Sequence, residues 1–494
     1  MDSDIKNDTK CEMFIYLKDI GCCLKCCLRL SGIKTIELLN EYIKDYKVKC
    51  VPDNIGVFDE KNSCIACLGI MYDEIQDSVV DQIAKEVISN GYDASIFSGN
   101  LTVPMSLMLR EKSIDEALTQ KFSLTESQWN SFKYKTHYIK DAWKTDILPR
   151  VEKKISKKST PLSNVPYLMI MISFSYSHDD DDCKKLLKGK ISDFSRNKIE
   201  QILSDNELKE CLLIPPPKPS TSVLIDKIYC SHGSIFIGGR YSKLSRQLSQ
   251  TPWFINGEKK METSVQDLLS DIIVNYTKAD AIKFLSSGRE DVDVRTINLG
   301  RPFAIELINP KITKALSGKL KEMVDEINAS TKLIRITSEM KILSPLDLKK
   351  LKEGENEKTK FYRALCIVKD ESCNSLDLDS LQNIKNLEIV QKTPLRVLHR
   401  RPFTPRIRVI HAMRGRWLTS DEKLKVKKRY TNTNVDQCLL DKLFIIDVKT
   451  QAGTYVKEFV HGDFNRTKPS LCDVLGVEVD IVALDVTGIN IHWP

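Results

Sequence analysis

Residues 286–307 read SSGREDVDVRTINLGRPFAIEL, and the charges they concentrate are out of place in a protein core. Behind Gly288 stand Arg289, Glu290, Asp291, Asp293 and Arg295, followed by Gly300, Arg301 and Pro302. An apolar run, Phe303, Ala304, Ile305 and Leu307, then has the composition of a strand. Core helices and strands repeat apolar residues at a regular period; this stretch sets charges of both signs side by side and frames them with backbone-permissive glycines. Such an arrangement predicts a site for chemistry or for a charged ligand, held at the mouth of a strand.

The chain around it has 494 residues, with 41% hydrophobic and 29% charged residues, which predicts a globular protein of two or three domains. No run of about 18 apolar residues is present to span a bilayer. The N-terminal MDSDIKNDTK carries acids and leads into no apolar segment, so a secretory or mitochondrial address is not expected and cytoplasm or nucleus is. The net charge of +8 is unevenly spread: from Lys392 to Arg429 there are 13 Lys and Arg against 2 acids, a local +11. A solvated face is seldom so lopsided, and an anionic partner is expected to meet it.

Eight of the fifteen cysteines fall in the first 67 residues. In a reducing compartment such crowding raises the question of metal binding. Cys23-Leu24-Lys25-Cys26 and Cys64-Ile65-Ala66-Cys67 are two CxxC pairs, each able to present two thiolates from one turn. Together they can make a tetrahedral zinc site with four cysteine ligands, whose role is expected to be structural, since four thiolates leave the ion no open position. Cys22 and Cys27 flank the first pair and keep alternative ligand sets open; buried apolar thiols are the plainer alternative. Beyond them, residues 36–43 and 75–88 show helical periodicity. RVEKKISKKST (150–160) reads as a solvated linker, 165–176 as a buried strand, and His178-Asp179-Asp180-Asp181-Asp182 as a solvated turn. A helix is expected near 191–208, and Pro215-Pro216-Pro217 gives the strongest boundary signal.

In the second half, residues 234–253 begin as a strand and are expected to turn at Gly238-Gly239 into a basic loop. There Arg240, Lys243 and Arg246 stand among Tyr241 and Trp253, the mixture that phosphates and stackable bases call for. Residues 263–273 predict a capped amphipathic helix. Residues 416–437 are polar and basic and read as a mobile surface loop.

Several of these elements together resemble one family. GREDVDVR with its trailing GRPF, the unbroken KTPLRVLHRR from Lys392, Lys360-Phe361-Tyr362-Arg363-Ala364, and Gly453-Thr454-Tyr455-Val456-Lys457 resemble the archaeal and eukaryotic Pus-ten pseudouridine synthases. The likeness is dense after residue 231 and thin before it. It implies an α+β fold: a pseudouridine synthase core with a mixed central sheet at 231–494, the chain ending in a loop, a short helix and a last strand that closes the sheet. At 1–230 it implies an accessory RNA-binding domain, THUMP-like and zinc-containing, with Cys23, Cys26, Cys64 and Cys67 as ligands. It implies isomerisation of uridine 55, or also 54, in the TΨC arm of tRNA by a monomeric enzyme without a catalytic cofactor.

By the same resemblance Asp291 is the nucleophile or base, with Asp293 its rival. Tyr362 stacks on the target base, Val456 floors the uracil, and Lys457 contacts the aspartate where some branches carry arginine. Arg289, Arg240, Arg396, His399 and Arg400 are expected to bind substrate. Lysine is a point charge without the guanidinium fork, so its contact geometry is expected to differ. Two readings from other classes compete. One is a zinc-containing RNA-binding protein without turnover. The other is a metal-dependent nuclease using Glu290, Asp291 and Asp293.

Overall fold

The computed structural model describes residues 5–35, 63–133, 138–160, 167–190, 194–204, 211–353, 359–370, 376–429 and 437–494. The helix expected at 36–43 lies outside them. The chain divides into two compact units, Met1–Gly233 and Ser234–Pro494.

In the first unit, helices α1 (Asn7–Asp19), α2 (Leu24–Ser31) and α3 (Asp73–Ser89) precede strand β1 (Ile96–Thr102), helix α4 (Met105–Lys121) and helix α5 (Ile139–Ile155). Strands β2 (Lys158–Ser159) and β3 (Leu168–Ser175), helix α6 (Asp179–Leu186) and strand β4 (Leu224–His232) follow. The sheet order is β2-β1-β3-β4, with β1 parallel to both neighbours and β4 antiparallel to β3. Strand β3 alternates buried Leu168, Ile170, Ile172 and Phe174 with partly exposed residues, as a half-buried strand must.

Two expectations fail here. The basic stretch at 150–160 is largely the last turns of α5, because Ile147 and Val151 bury completely while its cations reach acids on α3. Lys154 lies 3.0 Å from Asp81, and Arg150 pairs with Asp77. The aspartate run is the first turn of α6 rather than a turn in solvent. Asp179 accepts from the free backbone N–H groups of Met105 and Ser106 at the start of α4, at 3.0 and 2.8 Å. Asp182 grips the fully buried Arg110 through two bonds of 2.7 and 2.8 Å.

The second unit is built on an 11-stranded mixed sheet. Its elements include strand β5 (Ile235–Lys243), helix α7 (Val265–Thr277), strands β6 (Ala281–Ser286) and β7 (Arg295–Ile308), helix α8 (Leu316–Ser330) and strand β8 (Ile334–Ile336). They continue with strands β9 (Lys360–Val368), β10 (Lys385–Gln391), β11 (Arg406–Trp417) and β12 (Leu443–Thr450), helix α9 (Val456–His461), and strands β13 (Thr467–Lys468) and β14 (Val479–Ile489). The main order is β8-β5-β7-β14-β9-β12-β11-β10-β13, with β6 pairing β7.

Two apolar cores flank the middle of this sheet. One gathers Ile237, Tyr241, Phe303 and Ile305 with Leu269, Ile273, Met323 and Ile327 of α7 and α8. The other gathers Ala364, Ile446, Val448 and Val486 with Val456, Phe459 and Val460 of α9. The halves join where β7 and β14 run parallel for one short stretch, Arg295 opposite Asp485 and Thr296 opposite Val486. The charged stretch 287–294 enters β7 at that join.

As expected, α7 is capped, Ser264 accepting from the Asp267 N–H at 3.1 Å. Strand β5, by contrast, does not turn at Gly238-Gly239. A Cβ on Gly238 would lie 2.6 Å from the Phe303 carbonyl, so the glycine lets β5 run on against β7 where a side chain would push it away. Ser420–Arg429 forms a helix where a loop was expected. Strand β14 does not close the sheet; it lies between β7 and β9, in its middle.

Candidate active site

The loop from Ser287 to Val294 is fixed before any carboxylate reaches solvent. Gly288 has φ +85°, and a Cβ there would meet Lys360 Nζ at 2.9 Å and Arg301 Nη1 at 3.0 Å. The position therefore accepts only glycine without rearrangement. Glu290 turns inward, its carboxylate 2.6 Å from Arg301 with both side chains 2% exposed. The Tyr241 hydroxyl donates to Glu290 at 3.3 Å. The Gln250 amide in turn donates to Tyr241, Ser286 and the Gly288 carbonyl. Arg301 also donates to the Ser287 carbonyl at 2.7 Å. One of the three acids of the motif is thus a buried strut.

Two further cations hold the loop by its backbone. Lys243, fully buried, donates to the carbonyls of Leu248, Asp291 and Val292 at 2.9, 3.1 and 2.8 Å. Burial lowers its ammonium to about 8. Arg246 donates to the carbonyls of Asp293 and Leu484 and to Asp485, which also takes Arg295. Asp293 therefore pairs with neither Arg289 nor Arg295, the structural alternatives its position suggests.

With the backbone clamped, the remaining two acids face a pair of cations. Asp291 accepts from Arg396 Nη1 at 2.5 Å and lies 3.5 Å from Lys457 Nζ. Asp293 takes both of its bonds from Lys457, at 2.8 and 2.6 Å. Burial alone would raise the Asp293 carboxyl, but Lys457, helped by Arg396, holds it below the ordinary value. Arg396 continues to Glu458 at 2.6 Å, whose side chain is 3% exposed. Lys457 and Glu458 are neighbours in the first turn of α9, and Arg396 sits in a 3-10 turn, Leu395–Arg400. Three separated segments therefore converge on one ion network.

The other sequence-predicted residues divide. Tyr362 stands on β9, partly buried, within the electrostatic reach of Arg301 and Glu290. Burial pushes its hydroxyl up to about 12, with Arg301 lowering it and Glu290 raising it. Val456 is buried in the core beneath α9. Arg289 is exposed and joins no ion pair among the described residues. Arg240 contradicts its assignment to substrate: it is 8% exposed, and its guanidinium donates to the carbonyls of Gly300, Ile491 and Trp493. It ties the C-terminal segment to β5, because alternation within an interior strand turns it off the surface. The side chains of His399 and Arg400 lie outside the described residues.

Sequence reading missed Glu458 and the inward turn of Glu290, and it set Lys243 in a basic loop facing RNA where the structure buries it beneath the site. A signal existed for Lys243 only in hindsight of β5's length, since it stands two residues from Tyr241 on the face that buries. Glu290, Asp291 and Asp293 do not converge on one point. Among the described residues the group suited to a metal ion is the cysteine cluster.

In that cluster the sulfurs of Cys23, Cys26, Cys64 and Cys67 all lie within 4.8 Å of one another. Cys23 and Cys67 are 3.8 Å apart, close to the edge of about 3.8 Å that a tetrahedron of ~2.3 Å Zn–S bonds requires. Cys23 caps α2 and Cys26 lies in its first turn. Cys64 and Cys67 share a turn whose exit needs positive φ at Leu68 and Gly69. Buried Arg29 donates to Cys26 at 3.4 Å, a cation suited to offset the net −2 charge of four thiolates on a divalent ion. Cys27 points away, toward the Cys22 carbonyl.

Comparison with known proteins adds the following. The profile described as "Pus10, C-terminal" matches residues 236–490, and that described as "Eukaryotic Pus10, N-terminal" matches 64–230. The human tRNA pseudouridine synthase Pus10 is 35% identical over 460 residues, covering 89% of this chain and 81% of the relative. The Drosophila melanogaster protein named putative tRNA pseudouridine synthase Pus10 is 32% identical over 516 residues, covering 98% and 97%. The Archaeoglobus fulgidus tRNA pseudouridine synthase Pus10 is 32% identical, covering 52% of this chain and 67% of its own length.

Proposed function

The chain belongs to the Pus10 family, and from that premise we propose that it is a tRNA pseudouridine synthase acting on uridine 55 of the TΨC arm, with uridine 54 as a further target. In the reaction the N1–C1′ bond of the uridine breaks and the uracil turns in place. C5 then bonds to C1′, the proton on C5 is lost, and N1, freed from the sugar, takes up a proton in its place. Atoms balance without oxidant, water or leaving group, so the work falls to charge and position.

Asp291 is the reactive carboxylate in this reading, adding to the substrate or taking a proton from the sugar as the bond breaks. The observation that carries it is the ion network. Asp293 and Glu458 absorb most of the charge of Lys457 and Arg396. Asp291 touches both cations, Arg396 at 2.5 Å and Lys457 at 3.5 Å, with its side chain 30% exposed. Tyr362 offers a ring beside the loop for the displaced base, and Val456 the apolar floor beneath Lys457. The exposed cations between Lys392 and Arg429 supply phosphate contacts.

The first unit serves as the RNA-binding accessory module, THUMP-like in kind, and zinc on its four cysteines holds the segments around α2 together. The protein works as a monomer in the cytoplasm or nucleus.

The test is direct. Unmodified tRNA transcript is incubated with wild type, Asp291→Asn and Asp293→Asn, and pseudouridine is mapped by carbodiimide adduct. Wild type is expected to modify position 55. Asp291→Asn should lose on the order of 10²- to 10⁴-fold or more in rate, and Asp293→Asn should retain more than Asp291→Asn. The reverse ranking would make Asp293 the reactive acid. Binding without product from wild type would favour a non-catalytic RNA-binding protein.

A further inference from the structure

Helix α9, which presents Lys457 to the aspartates, ends in an unusual turn. Gly462, Asp463, Phe464 and Asn465 have consecutive positive φ angles of 75°, 47°, 55° and 63°, one turn wound left-handed. L-residues avoid this in runs, because Cβ crowds the following carbonyl; Gly, Asp and Asn tolerate it and a phenylalanine does not. The turn is nevertheless tightly held. Arg466 and Thr467 both donate from backbone N–H to the Gly462 carbonyl, at 3.0 and 3.1 Å, and Arg466 Nε lies 3.3 Å from the Asp463 carboxylate. A Cβ on Gly462 would press on Ser470 at 3.3 Å.

What this construction displays is a bare ring. Phe464 is 86% exposed, the most exposed large apolar side chain among the described residues. Folding gains little from a ring left in water, so neither burial nor local preference explains a phenylalanine here. Its surroundings are basic: Lys468 and Lys392 are exposed, and the Lys392 N–H donates to the Arg466 carbonyl. Arg466 lies over the ring of Phe403, itself 65% exposed, at 5.3 Å. From Lys457 to Gly462 is about 7.5 Å of helix at 1.5 Å per residue, so the turn closes the far end of the same short helix whose first turn carries Lys457.

We propose that this left-handed turn is a base-stacking site, in which Phe464 stacks on an unpaired nucleobase next to the target uridine while Lys392 and Lys468 take the adjoining phosphates. The chemistry fits: an aromatic face flanked by cations is how proteins hold unstacked bases, and the strained backbone keeps the ring aimed outward before RNA arrives. The proposal deepens the tRNA reading above and rests on it for the nature of the ligand. Phe464 is here a binding residue, and Asp463 and Gly462 position it.

The test compares wild type with Phe464→Asn and Phe464→Trp in the full chain. The probe is a TΨC-arm stem-loop carrying 2-aminopurine beside the target uridine. Asparagine suits the left-handed backbone and removes the ring, so Phe464→Asn should melt at or above the wild-type temperature. It should bind the stem-loop about 5- to 150-fold more weakly, the range that stacking on one base commands. It should also leave the 2-aminopurine fluorescence unquenched, and Phe464→Trp should restore both readouts. Unchanged binding by Phe464→Asn overturns the proposal, and so does a lower melting temperature, which would make the ring structural. Binding and quenching are read without turnover. A wild type that binds and quenches but forms no pseudouridine would sink the isomerase reading and leave this one standing.

Discussion

At the scale of single residues, the site separates three acids that look alike in sequence. Glu290 is spent on Arg301 inside the fold, Asp293 on Lys457, and Asp291 is shared between Lys457 and Arg396. No local pattern distinguishes them, because the partners come from β7, α9 and a distant 3-10 turn. Lys243 carries a consequence for pH. Its ammonium, lowered to about 8 by burial, donates to the Asp291 and Val292 carbonyls. Once neutral it has two N–H bonds for three carbonyls, and the loop loosens. The pH profile of kcat/KM is therefore expected to fall on its alkaline side near pH 8. Unfolding is not the cause. An unfolded lysine titrates near ~10.4, so between about 8 and that value the unfolded chain binds more protons, and this residue's contribution to stability rises with pH. A profile flat to pH 9, or a loss of rate that tracks a falling melting temperature, would contradict this.

At the scale of elements, the structure shows why some stretches were legible and others were not. Helix α7 announces itself by its cap and period, and β3 by its apolar alternation; both signals are local. The basic run at 150–160 does not read as a helix until α3 is beside it. Asp77 and Asp81 of α3, four apart, meet Arg150 and Lys154 of α5, also four apart, so the charges that suggested a linker are a helix–helix seam. Strand β5 reads as a loop after Gly238 for the same reason: its cations are satisfied by backbone carbonyls that only the assembled sheet supplies. The loop entering β7 offers a stability test. Glu290→Leu leaves Arg301 buried and unpaired and is expected to cost about 3–5 kcal/mol of unfolding free energy, measured by denaturant titration. Glu290→Leu with Arg301→Met should recover much of that loss. A double variant as unstable as the single one would mean that Glu290 acts through something other than the pair.

At the scale of the whole molecule, the chain has two units with separate cores and two unlike uses of clustered polar groups. In the first, four sulfurs gather around a point beside Arg29; in the second, carboxylates and cations gather around a loop. Zinc holding Cys23, Cys26, Cys64 and Cys67 would contribute folding free energy only to the first unit. Chelation of the full-length protein is thus expected to expose the first unit to limited proteolysis, while fragments of 234–494 survive. Equal loss of both units, or of neither, would tell against a structural zinc. No helix among the described residues is long and apolar enough to cross a membrane. The sequence alone determined the family, through GREDVDVR, KTPLRVLHRR and GTYVK, and the candidate ligands of the metal, because motif and spacing are one-dimensional properties. Which acid is a buried strut and which two share the cations, that Arg240 is a tether, and that β14 lies inside the sheet were decided only by the tertiary fold. Those roles depend on which distant groups arrive within a hydrogen bond's length, and that distance is set by packing.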